Sequence, residues 1–124
     1  MPNTRATTEE AFQHILKNLL NLTPESPLWR ALASEDYTSV IDIITMTNEE
    51  IDDLTYENDD MKSVSVPTKQ KKMLKHILLY HDHQLKIRAS KLFEADDWMR
   101  VDANAFTTFT ATVVPLILRG SAPS

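Results

Sequence analysis

The sequence of 124 residues predicts an all-α, single-domain protein, and its low glycine content and the helical spacing of its apolar residues support that fold class. Gly120 is the only glycine, whereas sheet-rich and loop-rich folds usually need several glycines at positive φ. Cysteine is absent, so stability must come from packing and not from disulfides or zinc–thiolate sites. Apolar residues recur at helical spacing along much of the chain. We expect five to six short helices and one long helix within residues 1–119, followed by a flexible tail at 120–124.

The first helix is predicted to begin at Thr7 and to end near Leu22. Thr7 and Glu10 have the spacing of a capping box, in which each side chain bonds to the other residue's backbone N–H. One apolar stripe follows at helical spacing, formed by Phe12, Ile15, Leu16, Leu19 and Leu20. His14 lies off this stripe, and we expect it to be a surface residue.

Proline and serine residues separate the first helix from a short second one. Ser26 and Pro27 indicate an N-cap followed by proline at the first helical position, and this helix is expected to end near Ser34. Its buried face is expected to contain Leu28, Trp29 and Leu32.

Residues 37–45 then carry a β-branched cluster whose spacing fits a short helix or, less well, a buried strand: Val40, Ile41, Ile43 and Ile44.

A further capped helix is predicted after Thr47. Thr47 and Glu50 repeat the capping-box spacing, and early acidic residues suit the N-terminus of a helix. Ile51 and Leu54 lie one turn apart on a single face. Residues 56–67 are polar, acidic and then alternating, so we expect an irregular connection with a brief extended stretch.

The longest helix is predicted from Thr68 to about Lys91, after Pro67. Its apolar side is expected to contain Met73, Leu74, Ile77, Leu78, Leu85 and Leu92. Asp102 is placed to cap a short final helix. Four residues are expected to hold the C-terminal segment on the bundle: Trp98, Val101, Phe106 and Phe109.

Residues 110–118 are threonine-rich and then apolar, which fits either an extended or a helical conformation.

Charge is segregated along the chain. Residues 35–60 hold ten acidic side chains and no lysine or arginine, a formal charge of −10, whereas residues 61–91 hold eight basic side chains against Asp82, a formal charge of +7. We expect an acidic interaction face formed by Glu49, Glu50, Asp52, Asp53, Glu57, Asp59 and Asp60. We expect a basic interaction face formed by Lys69, Lys71, Lys72 and Lys75.

No catalytic, cofactor-binding or metal-binding residue is expected. His76, His81 and His83 lie on one predicted helix, but metal ligands on a helix meet at spacings of three or four residues, and His81 and His83 are two apart. No carboxylate pair stands out for acid–base catalysis, and no glycine-rich loop is present to hold a phosphate. The polar N-terminus and the short apolar run at 113–118 predict an intracellular protein, cytoplasmic or nuclear, without membrane association.

The order of predicted elements resembles that of a sterile alpha motif (SAM) domain, over a core of about 28–84 with a C-terminal extension at 92–119. The apolar helix at 40–44, the capped helix at 47–54 and the basic, proline-led helix from Pro67 carry this resemblance. It implies a five-helix interaction module with a long last helix. The connection at 56–67 departs from the family because it is longer than usual and lacks the customary glycine.

A second resemblance covers residues 28–109. The stretches "LWRALASEDYTSVIDIITMTNEEIDDLTY" and "ADDWMRVDANAFTTF" are similar to the N-terminal, Gag-proximal region of Copia-type retrotransposon polyproteins of diatoms. The residues that carry it are mostly of core type: Leu32, Ile43, Thr47, Ile51, Leu54, Trp98 and Phe106. The likeness implies an assembly or scaffolding role and no catalytic one.

These features predict a protein–protein interaction module that binds a second copy of itself or another helical domain. A competing interpretation is that the acidic and basic segments neutralise each other within one molecule. A second function class is a nucleic-acid accessory protein that uses Lys69, Lys72 and Lys75 of the long helix. A third is an apolar contact with a separate helix through Val113, Leu116, Ile117 and Leu118.

Overall fold

The computed structural model describes residues 6–88 and 93–120, and within them the chain folds into seven helices and one two-stranded sheet. The first four helices are α1 (Thr8–His14, continued by the π-helical segment Ile15–Leu19), α2 (Pro27–Ser34), α3 (Val40–Ile44) and α4 (Asn48–Asp52). The strands β1 (Thr55–Glu57) and β2 (Ser63–Ser65) follow, and then α5 (Thr68–Ile87) and α6 (Ala95–Met99). The last helix, α7, comprises Ala103–Thr108, the π-helical segment Phe109–Val113 and Val114–Gly120. The mainly helical fold class predicted from the sequence is confirmed.

Three predicted helix starts are confirmed in atomic detail, whereas Ser26 lies at the N-cap position of α2 without a side-chain capping bond, because its Oγ accepts a hydrogen bond from the N–H of Thr23. Thr7 Oγ1 accepts a hydrogen bond from the N–H of Glu10 at 3.0 Å, and Glu10 Oε1 accepts one from the N–H of Thr7 at 2.9 Å. Thr47 and Glu50 form the same reciprocal pair at 3.1 and 2.8 Å. Asp102 caps α7 through a 2.7 Å bond to a backbone N–H. Each cap satisfies donors that the first turn of a helix leaves without an internal partner.

The first helix ends three residues earlier than predicted. Asn21 adopts a left-handed conformation with φ of 55°, which stops the helix, and asparagine tolerates this region better than most residues. The N–H of Leu22 then bonds back to the carbonyl of Leu16 at 2.8 Å, so that Leu22 returns to the core. The wider π-helical turn at Ile15–Leu19 precedes this bend.

Residues 55–65 form a β-hairpin where the sequence predicted an irregular connection with a brief extended stretch. Strands β1 and β2 pair in antiparallel register, with Tyr56 opposite Val64. The Asn58 side chain organises the tip, because its Oδ1 accepts hydrogen bonds from the N–H groups of Asp60 at 2.9 Å and Lys62 at 3.0 Å. Met61 lies at the tip with a positive φ of 61° and is 80% exposed.

Helix α5 ends at Ile87, with Arg88 as its C-cap, about four residues short of the predicted end. Lys91 and Leu92, which the sequence assigned to that end, lie outside the described residues, as does the tail at 121–124. The fully buried residues of α5 include the predicted Leu74 and Ile77. Tyr80, which the sequence did not single out, is also buried and lies at the centre of an aromatic cluster with Phe93, Trp98, Phe106 and Phe109.

Residues 110–118, whose conformation the sequence left open, are helical. The predicted short final helix is therefore too short, because α7 continues to Gly120 through its π-helical segment. Pro115 has no N–H and its ring crowds the preceding turn, so the adjacent widened turn reduces that conflict. Thr110 and Thr112 donate their hydroxyl protons to the carbonyls of Thr107 and Thr108, at 2.9 and 2.6 Å.

One hydrophobic core runs from Ala11 in α1 to Val114 in α7. Helix α1 packs against α3 and α6, and the N–H of Ala6 donates to Asp96 Oδ1 at 2.7 Å. His14 Nε2 lies 2.6 Å from the carbonyl oxygen of Val101, and its Nδ1 lies 2.8 Å from the Asn18 amide nitrogen. The expectation that His14 is a simple surface residue was wrong, because it is half-buried and joins α1 to the turn before α7.

Candidate functional site

The predicted acidic and basic faces meet at Asp52. Lys75 Nζ lies 2.7 Å from Asp52 Oδ1, and Lys71 Nζ donates to the Asp52 backbone carbonyl at 2.6 Å and to Ser65 Oγ at 2.8 Å. These bonds join α4 and β2 to α5. The prediction that the two faces are separate outward surfaces is therefore wrong for Asp52, Lys71 and Lys75, because their polar groups are already bonded within one molecule.

The remaining acidic side chains form an exposed surface on α4 and the hairpin. We call this the acidic surface, and it comprises Glu49, Glu50, Asp53, Glu57, Asp59 and Asp60. Asp59 lies 3.7 Å from Arg30, and Glu50 uses one carboxylate oxygen in its capping box. Within residues 6–88 and 93–120, the other four carboxylates have no basic side chain within 4 Å. These four exposed carboxylates therefore form no ion pair with the described part of the chain.

Two of the four predicted basic residues also remain exposed and unpaired among the described residues. Lys69 and Lys72 lie three positions apart on α5, so their side chains project from one side of the helix. We call them the lysine pair. Neither forms an ion pair within the described part of the chain, in contrast to Lys75 and to Lys86, which bonds to Asp82 at 3.4 Å. The basic face that points outward therefore contains two of the four predicted lysines, Lys69 and Lys72.

A groove of about 790 Å³, which Lys72 of the lysine pair helps to line, lies between the start of α4, the middle of α5 and the end of α7. Its apolar residues are Met46, Leu78, Leu79 and Leu118, and its polar residues are Thr47, Asn48, Lys72, Lys75, His76 and Asp82. Burial, with a smaller contribution from Lys72, lowers the pKa of His76 below its ordinary value. The sequence did not indicate this groove, because its lining comes from three segments that only the fold brings together.

The predicted apolar contact residues of the C-terminal segment divide into two sets. Val113 and Ile117 are half-buried and pack against the core. Leu116 and Leu118 are 64% and 59% exposed, and Leu118 also lines the groove. Exposed leucines on one helix turn give this end of the molecule apolar surface that the core does not use.

The histidines of α5 occupy different environments. His81 stacks on Trp98 with ring centroids 6.2 Å apart and an interplanar angle of 11°, and burial lowers the pKa of His81 although Asp82 opposes this effect. His83 contacts Phe109 instead, with ring centroids 5.5 Å apart. Among the described residues, no group of three or more histidine, cysteine, aspartate or glutamate side chains has an arrangement that could hold a metal ion.

Comparison with protein-family models, with curated proteins and with solved structures finds no match to this chain. In the part of the chain that the structure describes, no helix has both the length and the apolar character needed to cross a membrane.

Proposed function

We propose that this chain is a protein–protein interaction domain that self-associates, with the acidic surface of one copy contacting the lysine pair of another. The observation that carries the proposal is that four carboxylates of the acidic surface and both residues of the lysine pair are exposed and form no ion pair with any described residue, although other lysines of α5 do bond to α4. If charge neutralisation within the monomer were the only role of the two segments, more of these side chains would be expected to pair.

Charge neutralisation within one molecule explains the positions of three of the charged residues. Asp52, Lys71 and Lys75 hold α4 and β2 against α5, so their contribution belongs to the fold. Four carboxylates of the acidic surface and the lysine pair are not explained by it. The proposal is therefore restricted to these residues and excludes the three that bond internally.

Electrostatic attraction alone gives a weak complex. An exposed charge pair contributes about 0–1 kcal/mol, so the charges would set orientation and association rate while nearby apolar groups supply affinity. Two unlike surfaces on one body make heterologous contacts, which form rings when the rotation closes and open chains when it does not. Under this proposal the resemblance to a retroelement Gag-proximal region gives such association a scaffolding role.

The test is sedimentation velocity of the full chain over a range of protein concentrations at low and high ionic strength. We expect association that weakens with salt because exposed charges are screened. A Lys69→Glu, Lys72→Glu double variant should lose association and keep the wild-type melting temperature, whereas Lys17→Glu, an exposed charge reversal on α1, should associate normally. A wild-type monomer at every concentration and salt would refute self-association.

Nucleic-acid binding through α5 has less support. Lys71 and Lys75 already bond to Asp52, and the acidic surface lies close to the start of the same helix, where it would repel a polyanion. Duplex DNA and single-stranded RNA serve as probes in the same salt series. A steep decrease in affinity with salt that disappears in the lysine double variant would favour this alternative.

A further inference from the structure

The hairpin tip presents an apolar side chain that the fold does not require. Met61 is 80% exposed and has a positive φ of 61°, a region that a residue with a β-carbon enters at a cost and that glycine or asparagine occupies more readily. The loop is nevertheless well organised, since Asn58 accepts two backbone hydrogen bonds and its own carbonyl accepts one from Met61 at 2.9 Å. The loop backbone therefore places the exposed Met61 at a defined position on the tip.

The groove beside the lysine pair complements this tip in both polarity and charge. Its apolar residues include Leu79 and Leu118, and methionine is suited to irregular apolar sites because its side chain is flexible and polarisable. Lys72 lies at the groove without an ion-pair partner among the described residues. The carboxylate of Asp60, which has no ion pair among the described residues, immediately precedes Met61 in the sequence, so a bound tip would carry negative charge to this lysine.

The tip and the groove belong to different parts of one molecule. Strand β1 packs on α2, where Arg30 lies 5.6 Å from the Tyr56 ring centroid and 3.7 Å from Asp59. The groove is lined by residues of α4, α5 and α7 and the residues just before α4, and by none from the hairpin. Because the two surfaces share no residue, one copy can offer its tip and its groove at the same time.

We propose that the hairpin tip of one copy inserts into the groove of a second copy. Met61 packs against Leu79 and Leu118, and the carboxylate of Asp60 lies beside Lys72. This inference rests on the proposed self-association and specifies its contact. The contact is heterologous, so each added copy leaves a free tip at one end and a free groove at the other.

The experiment uses two full-length variants, each of which removes one side of the contact. Met61→Asn removes the apolar side chain and keeps a residue that accepts positive φ. Leu118→Glu places a charge in the groove at an exposed position, so that folding is preserved. Ile87→Gln is the matched control, because it replaces an exposed apolar residue outside both surfaces. Circular dichroism verifies that all three variants fold.

Sedimentation velocity gives the outcome. We expect Met61→Asn and Leu118→Glu each to be monomeric where wild type and Ile87→Gln associate, and an equimolar mixture of the two to form a heterodimer and nothing larger. Such complementation requires one intact tip and one intact groove. If Met61→Asn associates like wild type, or if the mixture stays monomeric, the tip-to-groove contact is refuted while self-association stands. If wild type itself is monomeric under all conditions, both proposals fail.

Discussion

Lys75 Nζ and Asp52 Oδ1 lie 2.7 Å apart and join the middle of α5 to the last residue of α4. Helix α4 has only five residues, so it gains little stability from its own hydrogen bonds and depends on contacts with its neighbours. The ion pair and the Lys71 bond to the Asp52 carbonyl are the polar part of that support. The buried Ile51 is the apolar part.

Breaking this pair should reduce stability slightly. We expect Lys75→Gln to lower the free energy of unfolding by about 0.5–1 kcal/mol, since the pair is partly exposed. Lys72→Gln, which removes a lysine of the adjacent turn that forms no ion pair with the described residues, should change it by less than about 0.5 kcal/mol. Urea denaturation of Asp52→Asn, Lys75→Gln and the double variant measures the coupling between the two side chains. A coupling of zero would show that the contact adds nothing to the fold.

Removing the His14 imidazole should have a larger effect. His14→Leu leaves the Val101 carbonyl without its 2.6 Å partner in a partly buried position, and a buried polar group without a partner costs about 1–3 kcal/mol. We expect a lower melting temperature, measured by circular dichroism. Gln13→Ala, an exposed change on the same helix, is the control and should stay close to wild type. Equal melting temperatures for the two variants would argue against a structural role for the bond.

Replacing Pro115 should stabilise α7. Pro115→Ala restores a backbone N–H at an exposed helical position and removes a residue that is about 3 kcal/mol less favourable than alanine inside a helix. The π-helical turn before it already accommodates part of that conflict, so we expect a gain of about 1 kcal/mol, together with increased helical ellipticity. No gain would indicate that the packing of Phe109 and Val114, and not the proline, sets the widened turn.

Stability should decrease as the pH falls from about 7 to 5. Burial lowers the pKa values of both His81 and His76 below the ordinary value of 6.5. The unfolded chain therefore binds these protons more readily than the folded chain, and protonation favours unfolding. Melting temperatures of wild type and His81→Gln across this range provide the measurement, and the variant should show a shallower slope. Identical slopes for wild type and His81→Gln would show that protonation of His81 does not cause the loss of stability.

Asp82 supplies an independent check on the same histidine. Its negative charge raises the pKa of His81 and so opposes the effect of burial. We expect Asp82→Asn to steepen the loss of stability between about pH 7 and 5, because the folded state then accepts the proton even less readily. The loss of the Lys86 ion pair lowers stability at all pH values and does not change the slope. A shallower slope would show that the charge of Asp82 does not raise the pKa of the His81 imidazole.

The parts of the fold that the sequence predicted best depend on local chemistry. The capping boxes at Thr7 and Thr47 connect residues three positions apart, so their spacing in the sequence already contains the contact. The apolar stripe of α1, with Phe12, Ile15 and Leu16, followed from helical periodicity. The presence of one glycine correctly predicted a helical fold. The described chain nevertheless has three positions with positive φ, and they are occupied by Asn21, Asp36 and Met61.

The parts that the sequence did not predict depend on contacts between distant segments. Nothing in the spacing of residues 56–67 gives the pairing of β1 with β2, and nothing near Lys75 indicates Asp52, 23 residues away. The groove combines Met46 with Leu118 and α5, so it exists only in the folded chain. Charge segregation predicted attraction between two segments, but it could not distinguish a contact within one molecule from a contact between two.

The position of α1 has a consequence for synthesis of the chain. Its apolar face, which includes Phe12, Ile15 and Leu16, is completed partly by α6, and the hydrogen bond from Ala6 to Asp96 spans 90 residues. A ribosome therefore adds about 90 residues after Ala6 before this face can be fully covered. During that interval the nascent chain exposes apolar surface, a condition under which chains aggregate or engage chaperones.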